Sequence, residues 1–155
     1  MTPGHRLTHV GLCVADIRRS TDFYCSALGF TKQASMRFQD AATARLLAVD
    51  GLVLDLVYLE RDGFRLELLG YEHPGTTGDA APRAMNARGF THLSFLVDDV
   101  DELTETIVKH GGRLLGDRTA VFDGGNRGVM LTDPDGNLLE LIERRPLPGN
   151  RRVTQ

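Results

Sequence analysis

The stretch GFTHLSFLVDDVDE, residues 89–102, reads as a second copy of RLTHVGLCVADIRR, residues 6–19. Laying one over the other puts Thr8 on Thr91, His9 on His92, Val14 on Val97, Asp16 on Asp99, Thr21 on Thr104 and Gly29 on Gly112, all at one offset of 83 residues. A fixed offset held by this many positions marks an internal repeat, so the fold is that of one supersecondary unit used twice.

The unit opens on a strand. In residues 7–14 the apolar Val10, Leu12 and Val14 alternate with His9, Gly11 and Cys13, so one strand face is apolar and the other carries small or polar groups. A helix follows, with Asp16 as N-cap, Phe23, Ala27 and Leu28 at helical spacing, and Gly29 where a left-handed cap would end it. The second copy repeats this with Asp99 and Glu102 in a capping-box pattern, a stripe of Val100, Leu103 and Ile107, and Gly111-Gly112 as the stop. Each copy then ends in a hairpin, with turn signals at Asp62-Gly63 and Asp135-Gly136. Glu67 and Glu140 follow those turns at a second constant offset, 73 residues. The difference between the offsets puts extra chain in the first copy, and DAATARLLAVDG from Asp40 supplies it as a short surface helix.

These readings give one domain of two βαβββ modules, residues 6–72 and 89–145, joined by a Gly- and Pro-rich linker, residues 73–88. At 155 residues the chain is long enough to bury a core without staples. No apolar run approaches the roughly 20 residues of a membrane span, and the start lacks the apolar core of a signal peptide, so the expected location is the cytoplasm, away from membranes. A net charge of −3 offers no basic stripe for nucleic acid. Arg144, Arg145, Arg151 and Arg152 read as a solvated tail, and Cys13 and Cys25 as buried, reduced thiols.

The chemistry sits on the faces that alternation turns away from the apolar sides. Phe64, Leu66 and Leu68 share one face of their strand, which leaves Arg65, Glu67 and Leu69 on the other; Leu138, Glu140 and Ile142 form the matching set in the second copy. His9 therefore shares a face with Glu67, and His92 with Glu140. With helices outside, these four converge in a cleft beside the small Gly11, Cys13 and Ser94. Two imidazoles and two carboxylates suit one divalent metal ion, Zn, Ni, Co, Mn or Fe(II), and leave positions open for a small-molecule substrate. A lone strand His or Glu is more often structural; recurrence of both types at equivalent places in the two copies is what favours ligation. His5, His73 and His110 have plainer readings, at the terminus, in the linker and at a helix end. Arg65 suits either an anionic substrate group or an ion pair at the rim.

The segments THVGLCVADIRRSTDFYCSALGF, RLELL, THLSFLVDDVDEL and MLTDPDGNLLELIE resemble the vicinal oxygen chelate superfamily over residues 7–145. That superfamily includes glyoxalase I, methylmalonyl-CoA epimerase, extradiol dioxygenases, fosfomycin resistance thiol transferases and bleomycin resistance proteins. The resemblance implies a glyoxalase-like α+β fold in which two tandem βαβββ modules form a cupped mixed sheet around a metal site. Its His, Glu, His, Glu ligand set resembles that of glyoxalase I. Extradiol enzymes typically use two His and one carboxylate around Fe(II), fosfomycin enzymes have a His in place of the first Glu, and bleomycin-binding members carry no metal. The implied activity is that of a metal-dependent lyase or isomerase, with Glu67 or Glu140 as the catalytic base on a C–H next to a carbonyl. The alternatives are an Fe(II) extradiol-type dioxygenase and a non-enzymatic small-molecule binding or drug resistance protein. A homodimer is implied as well.

Overall fold

Asp16 starts the first helix as its sequence position requires: the carboxylate accepts hydrogen bonds from the backbone N–H groups of Arg18 and Arg19 at 2.9 and 3.0 Å. In the computed structural model, which describes residues 4–144, this helix follows β1 (Val10–Cys13) and runs as α1 (Ile17–Ser26). The first unit continues with β2 (Thr31–Phe38), α2 (Ala41–Leu47), β3 (Val53–Arg61) and β4 (Phe64–His73). The second contains β5 (His92–Val97), α3 (Val100–Lys109), β6 (Arg113–Val121), β7 (Arg127–Thr132) and β8 (Leu138–Glu143). The chain divides between Ala80 and Ala81 into two units, each built on its own four-stranded mixed sheet.

The strand orders are β1-β4-β3-β2 and β5-β8-β7-β6, one topology used twice. In each sheet the opening strand runs parallel to the closing one, Gly11 opposite Glu67 and Ser94 opposite Glu140. The hairpin partner approaches antiparallel from the other side, setting Tyr58 opposite Glu67 and Met130 opposite Glu140. The first hairpin is closed by Asp62 and Gly63 with φ of 53° and 76°, the left-handed pair of a type I′ turn. The second has a longer loop in which Asp133 accepts from the backbone N–H groups of Asp135 and Asn137 at 2.9 and 2.8 Å. The extra chain of the first unit is α2, capped by Asp40, whose carboxylate accepts from Ala42 and Thr43 N–H. In the second unit a tight turn closed by Phe122 and Asn126 occupies that position.

Strand alternation separates core from site. Leu66 and Leu68 of β4 and Leu139 and Leu141 of β8 are buried. In the first unit they join Phe23, Tyr24 and Leu28 of the α1 region, where Tyr24 meets Phe23 and Phe30 edge-to-face at 5.3 and 5.7 Å. In the second, Val100 and Ile107 of α3 are buried with Leu131, Leu139 and Leu141. Each such side chain contributes about 1.5–3 kcal/mol by leaving water. The stop of α3 is sterically fixed: Gly112 N–H donates to the Ile107 carbonyl at 2.9 Å, and a Cβ on Gly112 would lie 2.7 Å from the Thr132 carbonyl oxygen.

Three readings of the sequence need correction. The opening strand begins at Val10 rather than Leu7, because its parallel pairing with β4 begins there, Val10 opposite Leu66. The first helix ends at Ser26, earlier than Gly29, although Gly29 does take a positive φ of 65°. Cys13 is exposed and Cys25 only partly buried, because Cys13 belongs to the same strand face as Gly11, away from the core. Burial, followed by the nearby Asp22 charge, pushes the Cys25 thiol above its ordinary pKa. Strand β4 stays paired to β3 through His73, which lies opposite Val53. Arg145, Arg151 and Arg152 lie outside the described residues.

The cap at Asp16 sets a pH dependence. The hydrogen bond from Arg19 N–H, and a weaker effect of that from Arg18, hold its carboxyl below the ordinary value. A depressed folded pKa stabilises above the ordinary Asp value and loses that stabilisation as pH falls through the folded one. Asp16→Ala is therefore expected to cost about 1 kcal/mol at neutral pH. The gap between its urea midpoint and that of wild type should shrink steadily below about pH 4. An undiminished gap in acid would assign the loss to something other than the charged cap.

Candidate metal centre

In the first unit the Nε2 of His9 lies 3.4 Å from an Oε2 of Glu67. In the second, the Nε2 of His92 lies 3.4 Å from the Oε2 of Glu140. The duplication reaches one shell further out. Thr8 Oγ1 is 3.0 Å from His9 Nδ1, and Thr91 Oγ1 is 2.9 Å from His92 Nδ1. With Nδ1 donating its proton to the threonine oxygen, Nε2 keeps its lone pair and points it at the carboxylate.

The separation is longer than a typical N–H···O hydrogen bond. It matches another geometry well: two donors each about 2.1 Å from one ion and about 109° apart sit about 3.4 Å from one another. The donor types, the spacing and the oriented imidazoles all fit a borderline divalent ion, and all four side chains are partly open to solvent. Among the described residues no set of three or more His, Cys, Asp and Glu side chains is gathered closely enough to hold a metal. The structure thus brings the expected residues together as two equivalent pairs, one in each unit.

The carboxylates differ in what else holds them. Ser94 Oγ donates to Glu140 Oε2 at 2.6 Å, the same oxygen that faces His92. Glu67 has Gly11 at the position equivalent to Ser94, and faces the Tyr58 phenol across the β3–β4 pair instead. Burial, then the facing Glu67 carboxylate, pushes the Tyr58 phenol above its ordinary pKa. The Tyr58 ring lies 5.4 Å from the His9 ring at 51°, and the Arg65 guanidinium sits 5.6 Å from the Tyr58 ring centroid. Arg65 also pairs with Glu60 at 3.2 Å, so the rim ion pair forms. His73 ends β4 rather than lying in the linker, with Nδ1 2.9 Å from the Gly51 carbonyl, and His110 caps α3 with Nδ1 2.9 Å from the Thr106 carbonyl.

Strand alternation alone does not single out Tyr58, although a signal for it exists in the sequence. A two-residue turn at Asp62-Gly63 pairs Arg61 with Phe64, and counting back from that pair puts Tyr58 opposite Glu67. Ser94 was read only as a small residue, whereas it is also a donor.

A repeated βαβββ unit carrying one His/Glu pair per copy defines a class of two-module proteins that present polar side chains on the sheet faces opposite their helices. The chain belongs to the Glyoxalase/Bleomycin resistance protein/Dioxygenase superfamily, whose profile matches residues 6–141. It is 29% identical over 136 residues to the protein YaeR of Escherichia coli, covering 88% of this chain and 94% of that protein. It is 27% identical over 143 residues to the lactoylglutathione lyase GLX1 of Arabidopsis thaliana, covering 92% of this chain but only 46% of that protein. The chain thus spans about half the length of that lyase. A glyoxalase family protein from Bacillus cereus has the same fold, with a TM-score of 0.78, 21% identity, and coverage of 92% of this chain and 97% of the other. Among the described residues no helix is long and apolar enough to cross a membrane.

Proposed function

We propose that the protein is a metal-dependent lyase or isomerase of the glyoxalase I or epimerase type, in which His9, Glu67, His92 and Glu140 together bind one divalent ion. The observation that carries this reading is the twofold recurrence of a His–Glu pair at 3.4 Å with a threonine behind each imidazole. Metal-ligating imidazoles typically donate their other ring N–H to an outer partner, the place Thr8 and Thr91 take here. Similarity to a lactoylglutathione lyase across 92% of the chain supports the class of reaction.

The ion, when bound, supplies Lewis-acid stabilisation of the charge that proton loss leaves on neighbouring substrate oxygens. The protein's own groups do the rest. His9 and His92 serve as ligands, oriented by Thr8 and Thr91. One of Glu67 and Glu140 removes a proton from the carbon next to the carbonyl and returns it, while the other remains a ligand. The substrate class is a small molecule with neighbouring oxygens, and the assembly is a homodimer.

The test uses protein purified without added metal. Metal analysis is expected to find one ion per chain, and light scattering a dimer mass. With a 2-oxo or hemithioacetal substrate in D2O, deuterium should enter next to the carbonyl without oxygen uptake. Ferrous-dependent oxygen consumption with a catechol would instead assign the extradiol dioxygenase reading. A metal-free protein that binds an apolar small molecule equally well in the presence of chelator would assign the binding or resistance reading.

A further inference from the structure

The repeat makes the two His–Glu pairs equivalent in sequence, yet the strands beside them hold the two carboxylates from opposite sides. Glu140 is tethered from β5, the parallel neighbour, by Ser94 at 2.6 Å. On the equivalent side of Glu67 stands Gly11, which has no side chain to offer. A hydroxyl is offered instead from β3, the antiparallel neighbour, where Tyr58 lies opposite Glu67 with its ring 5.4 Å from that of His9. Met130 fills the matching place in the second unit and has no hydroxyl.

We propose that Tyr58 is a positioning residue of the metal centre, holding the Glu67 carboxylate in its ligating orientation by a hydrogen bond across the β3–β4 pair, as Ser94 holds Glu140 across the β5–β8 pair. The inference rests on the four-ligand reading above. Its content is that each carboxylate ligand has one outer hydroxyl, supplied by a different strand. A ligand carboxylate free to rotate must be immobilised when the ion binds, and removing such an outer partner typically costs about 10–100-fold in metal affinity. The Tyr58 ring does a second job that the hydroxyl does not, since it packs 5.4 Å from the His9 ring and supports the Arg65 guanidinium. Tyr58→Phe removes the tether and keeps the wall.

The geometry also supplies a rescue. A Cβ built on Gly11 would stand 3.5 Å from Glu67 Oε2, and its tightest neighbour, at 3.2 Å, is the terminal Cδ1 of Leu69, a flexible side chain that can give way. Gly11→Ser therefore offers Glu67 a hydroxyl from the same side that Ser94 uses for Glu140.

The experiment titrates the full chain with Co(II), reading affinity by calorimetry and ligand geometry by the visible absorption of the bound ion, with circular dichroism and urea midpoints to verify folding. Wild type should bind one ion. Tyr58→Phe and Ser94→Ala should each weaken Co(II) binding by about tenfold or more and alter its spectrum, with little change in urea midpoint. Adding Gly11→Ser to Tyr58→Phe should recover most of the loss. A Tyr58→Phe protein with wild-type affinity and spectrum overturns the tether, as does a folded Gly11→Ser/Tyr58→Phe protein that recovers nothing. A wild type that binds no Co(II) overturns the four-ligand reading and this inference with it, a result distinct from normal binding by both wild type and Tyr58→Phe.

Discussion

Replacing His9 and Glu67 together by alanine is expected to reduce affinity for a divalent ion by about 10⁴. Four-ligand sites hold a borderline ion with apparent free energies of about 10–16 kcal/mol, or about 3 kcal/mol for each donor. At about 1.4 kcal/mol per tenfold, one donor accounts for about 10² in affinity and two for about 10⁴. The fold should survive, because the apolar residues that hold the first unit, Leu66 and Leu68 of β4 among them, lie on the other face of the strand. Each single alanine variant of His9, Glu67, His92 and Glu140 should show part of the loss, measurable as metal content after dialysis against a weak chelator. Full occupancy in the double variant would mean that the pair at 3.4 Å is an ordinary ion pair on a strand face.

The parts of this protein that could be read from the sequence are those fixed by local chemistry. The caps at Asp16 and Asp99 depend only on a short side chain reaching the next two or three N–H groups, and both form. The Asp62-Gly63 turn needs two positive φ angles, which that dipeptide tolerates, and it occurs where expected. Alternation then places Glu67 and Glu140 on the faces opposite Leu66, Leu68, Leu139 and Leu141. The repeat does the remaining work, since a pairing that is weak evidence in one copy becomes strong when the other has it too.

What escaped was decided between strands. The parallel pairing of β1 with β4 and of β5 with β8 sets Gly11 and Ser94 beside the two glutamates, and no local pattern announces it. The role of Tyr58 depends on cross-strand register, recoverable only by counting back through the turn. Residue type and strand face disagree at Cys13: thiols are usually buried, but this one alternates with the core residues rather than joining them. Alternation overstates the opening strand as well: it continues back to Leu7, but a strand needs a partner, and pairing with β4 begins only at Val10, opposite Leu66.

The unequal surroundings of the two carboxylates lead to the other large effect. If one glutamate is the base, Glu67→Gln and Glu140→Gln should differ sharply in turnover while remaining similar in metal content at saturating metal. Glutamine keeps an oxygen that can ligate but cannot take a proton, so only the variant at the base position loses acid–base work, which typically costs about 10²–10⁴ in rate. At the other position, excess metal offsets a weakened ligand. The two side chains do not start out alike, since Glu67 lies opposite Tyr58 beside the Arg65 cation and Glu140 is held by Ser94 beside Met130, so the repeat gives no reason to expect equal roles. Both variants are to be assayed with a 2-oxo or hemithioacetal substrate in D2O, following deuterium entry next to the carbonyl. Exchange lost in one variant alone identifies that glutamate as the base. Equal loss in both, with full metal content, would require both carboxylates to handle the proton, and exchange intact in both would move the base to another group.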